Sequence, residues 1–139
     1  MKGKWITHPL YAKLKPLNVF HKQLDNNFSY SHPEDMKNIH TLFLKKFTLD
    51  GFSRVMIKIT ADDLFKLYVN GNFVLSGPVP GYYFSQYYNT VDVTEYLRKG
   101  VNTVAVHTYY YGVLNRVTVS GDMRTGLWLE LEADGKNAL

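Results

Sequence analysis

The chain contains no cysteine, so disulfide bonds and thiolate metal sites are excluded. It has no apolar run approaching the ~20 residues that a membrane-spanning helix needs, and no membrane partner is expected. The N-terminal stretch MKGKWITHPLYAK has the positive start of a signal peptide but no apolar segment behind it. A cytoplasmic location is the first expectation; export of a parent whose signal has been removed is the second. Phosphate-binding glycine patterns and a serine nucleophile elbow are missing. The five histidines, His8, His21, His32, His40 and His107, show neither His-x-His nor His-x3-His spacing, which argues against a transition-metal site. No cofactor is expected. Asp62, Asp63 and Asp122 carry oxygens of the kind a structural calcium takes, but no loop has the acidic density of an evident cation site.

What is present is the make-up of a globular chain. Its 139 residues are 45% hydrophobic and 20% charged, enough for one domain with a buried core. The net charge of +4 raises the question of nucleic acid. Residues 1–50 hold eight Lys or Arg against four Asp or Glu, whereas residues 51–139 hold eight of each. The aromatics concentrate in the neutral part, where eight of the eleven tyrosines lie between Tyr82 and Tyr111. A nucleic-acid surface gathers basic groups beside its stacking rings, so no nucleic-acid partner is expected.

Residues 1–39 read as an N-terminal strand at Trp5-Ile6 followed by a loop-rich arm. Pro9, Pro16 and Pro33 interrupt it, and Leu14, Leu17, Phe20 and Phe28 are its expected anchors. Residues 40–139 read as a β-sandwich. Thr41–Leu49 is a predicted strand with Phe43, Phe47 and Leu49 inward. Val55, Ile57 and Ile59 alternate with Met56, Lys58 and Thr60. Ala61-Asp62-Asp63 is expected to break that strand, with the two aspartates making a turn. Leu64–Val69, Asn70-Gly71 and Asn72–Leu75 form a predicted hairpin, because Asn-Gly tolerates positive φ at both turn positions. After a loop at Ser76–Ser85, strands are predicted at Tyr87–Val93 and Val104–Tyr110. The segment between them is one helical turn, capped by Asp92 or Thr94 and ended by Gly100. In the last strand Leu127, Leu129, Leu131 and Ala133 point inward, leaving Glu130 and Glu132 on a solvated face. Asp134-Gly135-Lys136-Asn137 is a turn with no returning strand expected, as in a fragment of a longer chain. These elements specify an all-β, antiparallel jelly-roll sandwich.

The order of the turns carries a resemblance. ITADDLFKLYVNG at residues 59–71, Pro80-Gly81, YYNTVDVTEYL at residues 87–97 and GVNTVAV at residues 100–106 resemble the N-terminal, galactose-binding-like domain of bacterial α-L-rhamnosidases. The likeness extends from His40 to about Ala133. In that family hydrolysis belongs to a separate (α/α)6 barrel. The resemblance therefore implies a domain inactive by itself, with a carbohydrate of rhamnoside type and the catalytic domain of the same parent chain as partners. Gly81-Tyr82-Tyr83-Phe84 and Tyr109-Tyr110-Tyr111-Gly112 stand where the family commonly has an aromatic Gly-Trp loop.

A sugar ring offers an apolar C–H face and hydroxyl edges, so a binder needs flat rings beside polar groups. Tyr82, Tyr83, Tyr87, Tyr109 and Tyr111, with Asn115 and Arg116, are the candidate carbohydrate-binding residues. Alternation in a strand turns about half of the clustered tyrosines inward. The alternative is a purely structural domain whose aromatic loops dock on the catalytic barrel without binding free sugar. No catalytic residue is expected, because Asp62 and Asp63 are neighbours with opposed directions rather than a facing carboxyl pair.

Overall fold

The computed structural model describes residues 3–19, 22, 25, 27, 30–79, 81, 84–114 and 121–139. Eight strands are formed: β1 (Ile39–Leu49), β2 (Val55–Asp62), β3 (Leu64–Val69), β4 (Asn72–Gly77), β5 (Asn89–Asp92), β6 (Gly100–Tyr110), β7 (Gly126–Ala133) and β8 (Lys136–Asn137). They build two four-stranded antiparallel sheets, ordered β1-β6-β3-β4 and β5-β2-β7-β8. The chain changes sheet on every connection except β3–β4 and β7–β8. The β-sandwich expected from the sequence is the fold.

Its core is set by period-2 patterning. Val55, Ile57 and Ile59 of β2 face Phe65, Leu67 and Val69 of β3, with Val104 and Val106 of β6 and Leu127 and Leu131 of β7 between them. Successive side chains of a pleated strand leave on opposite faces, so alternate apolar residues converge. Each such burial contributes about 2 kcal/mol. The Asn70-Gly71 turn has φ of 49° and 83°, the positive values that join β3 to β4 with the twist of the strands.

The motif residues hold this frame together. Asn70 Nδ2 donates to the Tyr96 carbonyl and to Asn102 Oδ1, both at 2.8 Å, and Asn70 Oδ1 accepts from the Thr103 amide at 2.8 Å. Asn102, almost fully buried, donates to the Arg98 and Gly100 carbonyls at 2.7 and 3.0 Å. Asp92 Oδ1 accepts from the Thr94 amide and hydroxyl, and Thr94 Oγ1 accepts from the Val55 amide. The helical turn is a short 3-10 segment, Thr94–Tyr96, with Gly100 at φ 96° after it.

Four expectations need correction. Ala61 and Asp62 do not break β2; they finish it, and Asp62 is buried. Glu130 is not solvated, because the N-terminal arm crosses its face and the Gly3 amide donates to Glu130 Oε1 at 2.5 Å. A returning strand does follow Asp134-Gly135: β8 pairs with β7 through Lys136 and Asn137. The arm is anchored by Tyr11, Val19 and His32 rather than by the half-buried Leu14 and Leu17; Phe20 and Phe28 lie outside the described residues. The anchoring is polar as well as apolar. Tyr11 donates to the Met36 carbonyl at 2.6 Å, and His32 Nε2 lies 2.9 Å from the Met123 carbonyl and 3.0 Å from the Tyr110 hydroxyl.

A candidate ligand cleft between the arm and the sandwich

The arm and the ends of β2 and β7 enclose a cleft of about 310 Å³, lined by Trp5, Thr7, Tyr11, Asp62, Gln86, Asp122, Arg124 and Thr125 among others. Trp5 is placed by the single bridge between Ile6 and Leu127. Its ring lies over Gly126, where a Cβ would come within 2.8 Å of ring carbon Cε3. Half of the Trp5 surface stays exposed. A glycine under the ring and an open upper face make an aromatic plate.

The same cleft is lined by a fixed ion pair. Arg124 Nε donates to Asp122 Oδ1 and Oδ2 at 3.0 and 2.9 Å, and Nη2 closes a second short contact to Oδ2. The Asp122 carboxylate holds the Arg124 guanidinium above its ordinary pKa. Both groups keep hydrogen-bonding capacity for a hydroxyl, since a carboxylate accepts about four bonds and a guanidinium donates five. Thr7 donates to the Thr125 carbonyl at 2.6 Å, and Thr125 to the Asp62 carbonyl at 2.9 Å, stitching the wall of the cleft.

Asp62 lies at the base. Burial pushes its carboxyl well above the usual range, helped by a hydrogen bond with Asp63 and by the charges of Asp63 and Asp122; Arg124 opposes the shift. Asp63 in turn accepts from the Tyr111 amide at 2.8 Å. Gly121 presses so close that any Cβ there would collide with the Asp62 carboxylate. Asp62 and Asp63 are thus a coupled pair, contrary to the opposed directions expected of neighbours in an extended segment. Tyr11 is pushed up to about 12, by burial first and then by Asp35 and Asp63.

The tyrosines expected to bind sugar are dispersed. Tyr82, Tyr83, Asn115 and Arg116 lie outside the described residues. Tyr87 is exposed before β5, where its carbonyl accepts from Thr60 Oγ1. Tyr109 and Tyr111 are half-buried at the end of β6, their rings 4.6 Å apart edge-on. Tyr110 between them is fully buried, as strand alternation requires. Of the cleft residues, Trp5, Gln86 and Arg124 went unrecognised in the sequence. The available signals were slight: one of only two tryptophans in a loop-rich segment, and an Asp-x-Arg pair. Among the described residues no three or more His, Asp or Glu side chains gather as a metal site; of the possible calcium donors, Asp122 is turned to Arg124.

The sandwich and its arm define the class as an all-β, two-sheet sandwich domain, and solved structures show what family it resembles. A GH78 rhamnosidase of Bacillus sp. GL1 is 36% identical over 74% of this chain, with a TM-score of 0.68. An α-L-rhamnosidase from Aspergillus terreus is 26% identical over 81%, with a TM-score of 0.56. One from Dictyoglumus thermophilum covers 94% at 18% identity and a TM-score of 0.60, a likeness of fold. The chain spans only 11%, 14% and 14% of these proteins. Neither a family model nor a curated protein sequence matches it. Over most of its length the chain is similar to GH78 α-L-rhamnosidases, as a β-sandwich domain of that family would be.

Proposed function

We propose that this domain is a non-catalytic carbohydrate-binding part of an α-L-rhamnosidase-type glycoside hydrolase, and that a rhamnoside-type sugar occupies the cleft between the arm and the sandwich. The observation that carries the reading is that the Trp5 plate and the Asp122–Arg124 pair line one cleft of about 310 Å³. An apolar wall with a few fixed polar groups is the common design of a small-molecule site. The relatives named α-L-rhamnosidases supply the sugar class. Arg124 fixes the Asp122 carboxylate in place, which suits it to a positioned contact with a sugar hydroxyl.

Titration with L-rhamnose and methyl α-L-rhamnoside, followed by Trp5 fluorescence and amide shifts, tests it. Perturbation at Trp5, Gln86 and Arg124 at millimolar sugar supports the cleft. Silence there, with shifts at Tyr87, Tyr109 or Tyr111, moves the site to the tyrosine loops; no shift anywhere overturns sugar binding. A structural reading is favoured by Leu42 and Leu44, which are 80% and 67% exposed on the edge strand β1 and suit contact with another domain of the parent chain. Protection of these two residues from solvent in the parent enzyme, without any sugar response, would establish it.

A further inference from the structure

The outer face of the β1-β6-β3-β4 sheet carries a second cavity, about 360 Å³, lined by His40, Leu64, Phe65, Lys66, Ser76, Gly77, His107 and Tyr109. Register assembles it. His40 pairs across the sheet with Tyr109 and Tyr109 with Leu64; in the next row His107 pairs with Lys66, and Lys66 with Ser76. The His40 ring stacks on Tyr109 at 4.6 Å and on His107 at 5.0 Å, making a three-ring wall. His40 Nδ1 and His107 Nε2 are 2.9 Å apart, so one donates to the other, and His40 Nε2 and His107 Nδ1 are left facing outward partners.

The charge of this face is one-sided. None of β1, β6, β3 or β4 contains Asp or Glu, and Lys66 has no ion pair among the described residues. We propose that this cavity binds a carboxylate-bearing sugar, a uronate unit, with its ring against the Tyr109–His40–His107 wall and its carboxylate on Lys66 and His107. Leu64 offers an apolar contact of the kind a pyranose C–H face uses, and Ser76 a hydroxyl partner. A nucleic-acid backbone is disfavoured because it needs a track of cations, and Lys66 alone borders the cavity. Burial, then the neighbouring His40 and Lys66, hold His107 below its ordinary pKa.

The test is titration of the 139-residue chain with tetragalacturonate and with its methyl ester, followed by the imidazole signals of His40 and His107 and the ring signals of Tyr109. The free acid should shift all three at millimolar concentration, less so as salt rises, and the ester should not. Lys66→Gln, an exposed change, should weaken the acid about tenfold, the loss of one charge-assisted hydrogen bond, while Trp5→Ala leaves it unchanged. Silence with the acid, equal shifts with the ester, indifference to Lys66→Gln, or tighter binding of a single-stranded oligonucleotide would each overturn the proposal. The rhamnoside cleft does not enter this outcome: it fails or stands on Trp5→Ala and neutral sugar alone.

Discussion

The two sheets share one core and differ in charge. The strands β1, β6, β3 and β4 hold Lys45, Lys46, Lys66, His40 and His107 and no carboxylate. The strands β5, β2, β7 and β8 hold Asp62, Asp92, Glu130 and Glu132 against Lys58 and Lys136. Counted along the chain, residues 51–139 are neutral; folded, their strand carboxylates all fall in one sheet, while the other takes Lys66 and His107 from them and Lys45 and Lys46 from β1. Neutrality in sequence is therefore no guide to the field at a surface, which depends on which strands become neighbours. The contrast also separates the two proposed ligand chemistries: a carboxyl-lined cleft for hydroxyls, and a lysine and histidine cavity for an anion.

The largest expected effect breaks the frame that holds the sheets in this arrangement. Asn102→Ala should cost about 3 kcal/mol, because it leaves the Arg98 and Gly100 carbonyls and Asn70 without their buried partner; urea unfolding at neutral pH measures it. Next come the two cavities. Trp5→Ala should weaken rhamnoside binding about tenfold through loss of the plate, and Lys66→Glu should abolish uronate binding while sparing rhamnoside. If either change moves both ligands in calorimetry, the sites are not separate.

The pH dependence sharpens the comparison further. Burial holds His32 below its ordinary value of 6.5, so the unfolded chain takes up its proton first as pH falls. His32 thus contributes stability at neutral pH that is lost from about pH 6.5 downward, seen as loosening of the arm in hydrogen exchange; His32→Gln should flatten that loss. Asp62 has the opposite sign. Its raised pKa means the folded form keeps a proton that the unfolded form releases, so stability falls as pH rises above the ordinary carboxylate value of 3.8. Asp62→Asn should remove that slope in a series of melts.

The smallest effect is at Asp92, on the same sheet but in water. The Thr94 hydroxyl and amide, then Arg54, lower it to about 2, so its contribution is present above the ordinary value and lost as pH falls through about 2. Asp92→Asn should change the melting temperature at neutral pH only slightly, since exposed pairs are weak.

Much of the frame was legible in the residues. Asn-Gly dictates a tight turn by its φ preferences, and alternation at Val55, Ile57 and Ile59 dictates which face is buried, because both are local properties of the backbone. The same locality misled at Glu130, whose alternation with leucine says outward while the arm covers that side of the sheet. It misled again at Asp62, which reads as a turn former until Gly121, Gln86 and Asp63 enclose it. The site was less legible than the fold. Clustered tyrosines are conspicuous in a sequence, yet Tyr110 went to the core and Tyr109 to the far side of a sheet from the cleft.

The sequence by itself determined most of the strands, their hairpin turn and most of the inward residues, for these follow from periodicity and from short-range backbone chemistry, and the order of its motifs carried the likeness to the rhamnosidases. Only the tertiary structure decided that Trp5 would lie over Gly126, that Arg124 would line the same cleft, and that one sheet would be free of carboxylates. Those facts join positions from tens to more than a hundred residues apart, and no local preference encodes which distant strand or arm will come to rest beside another.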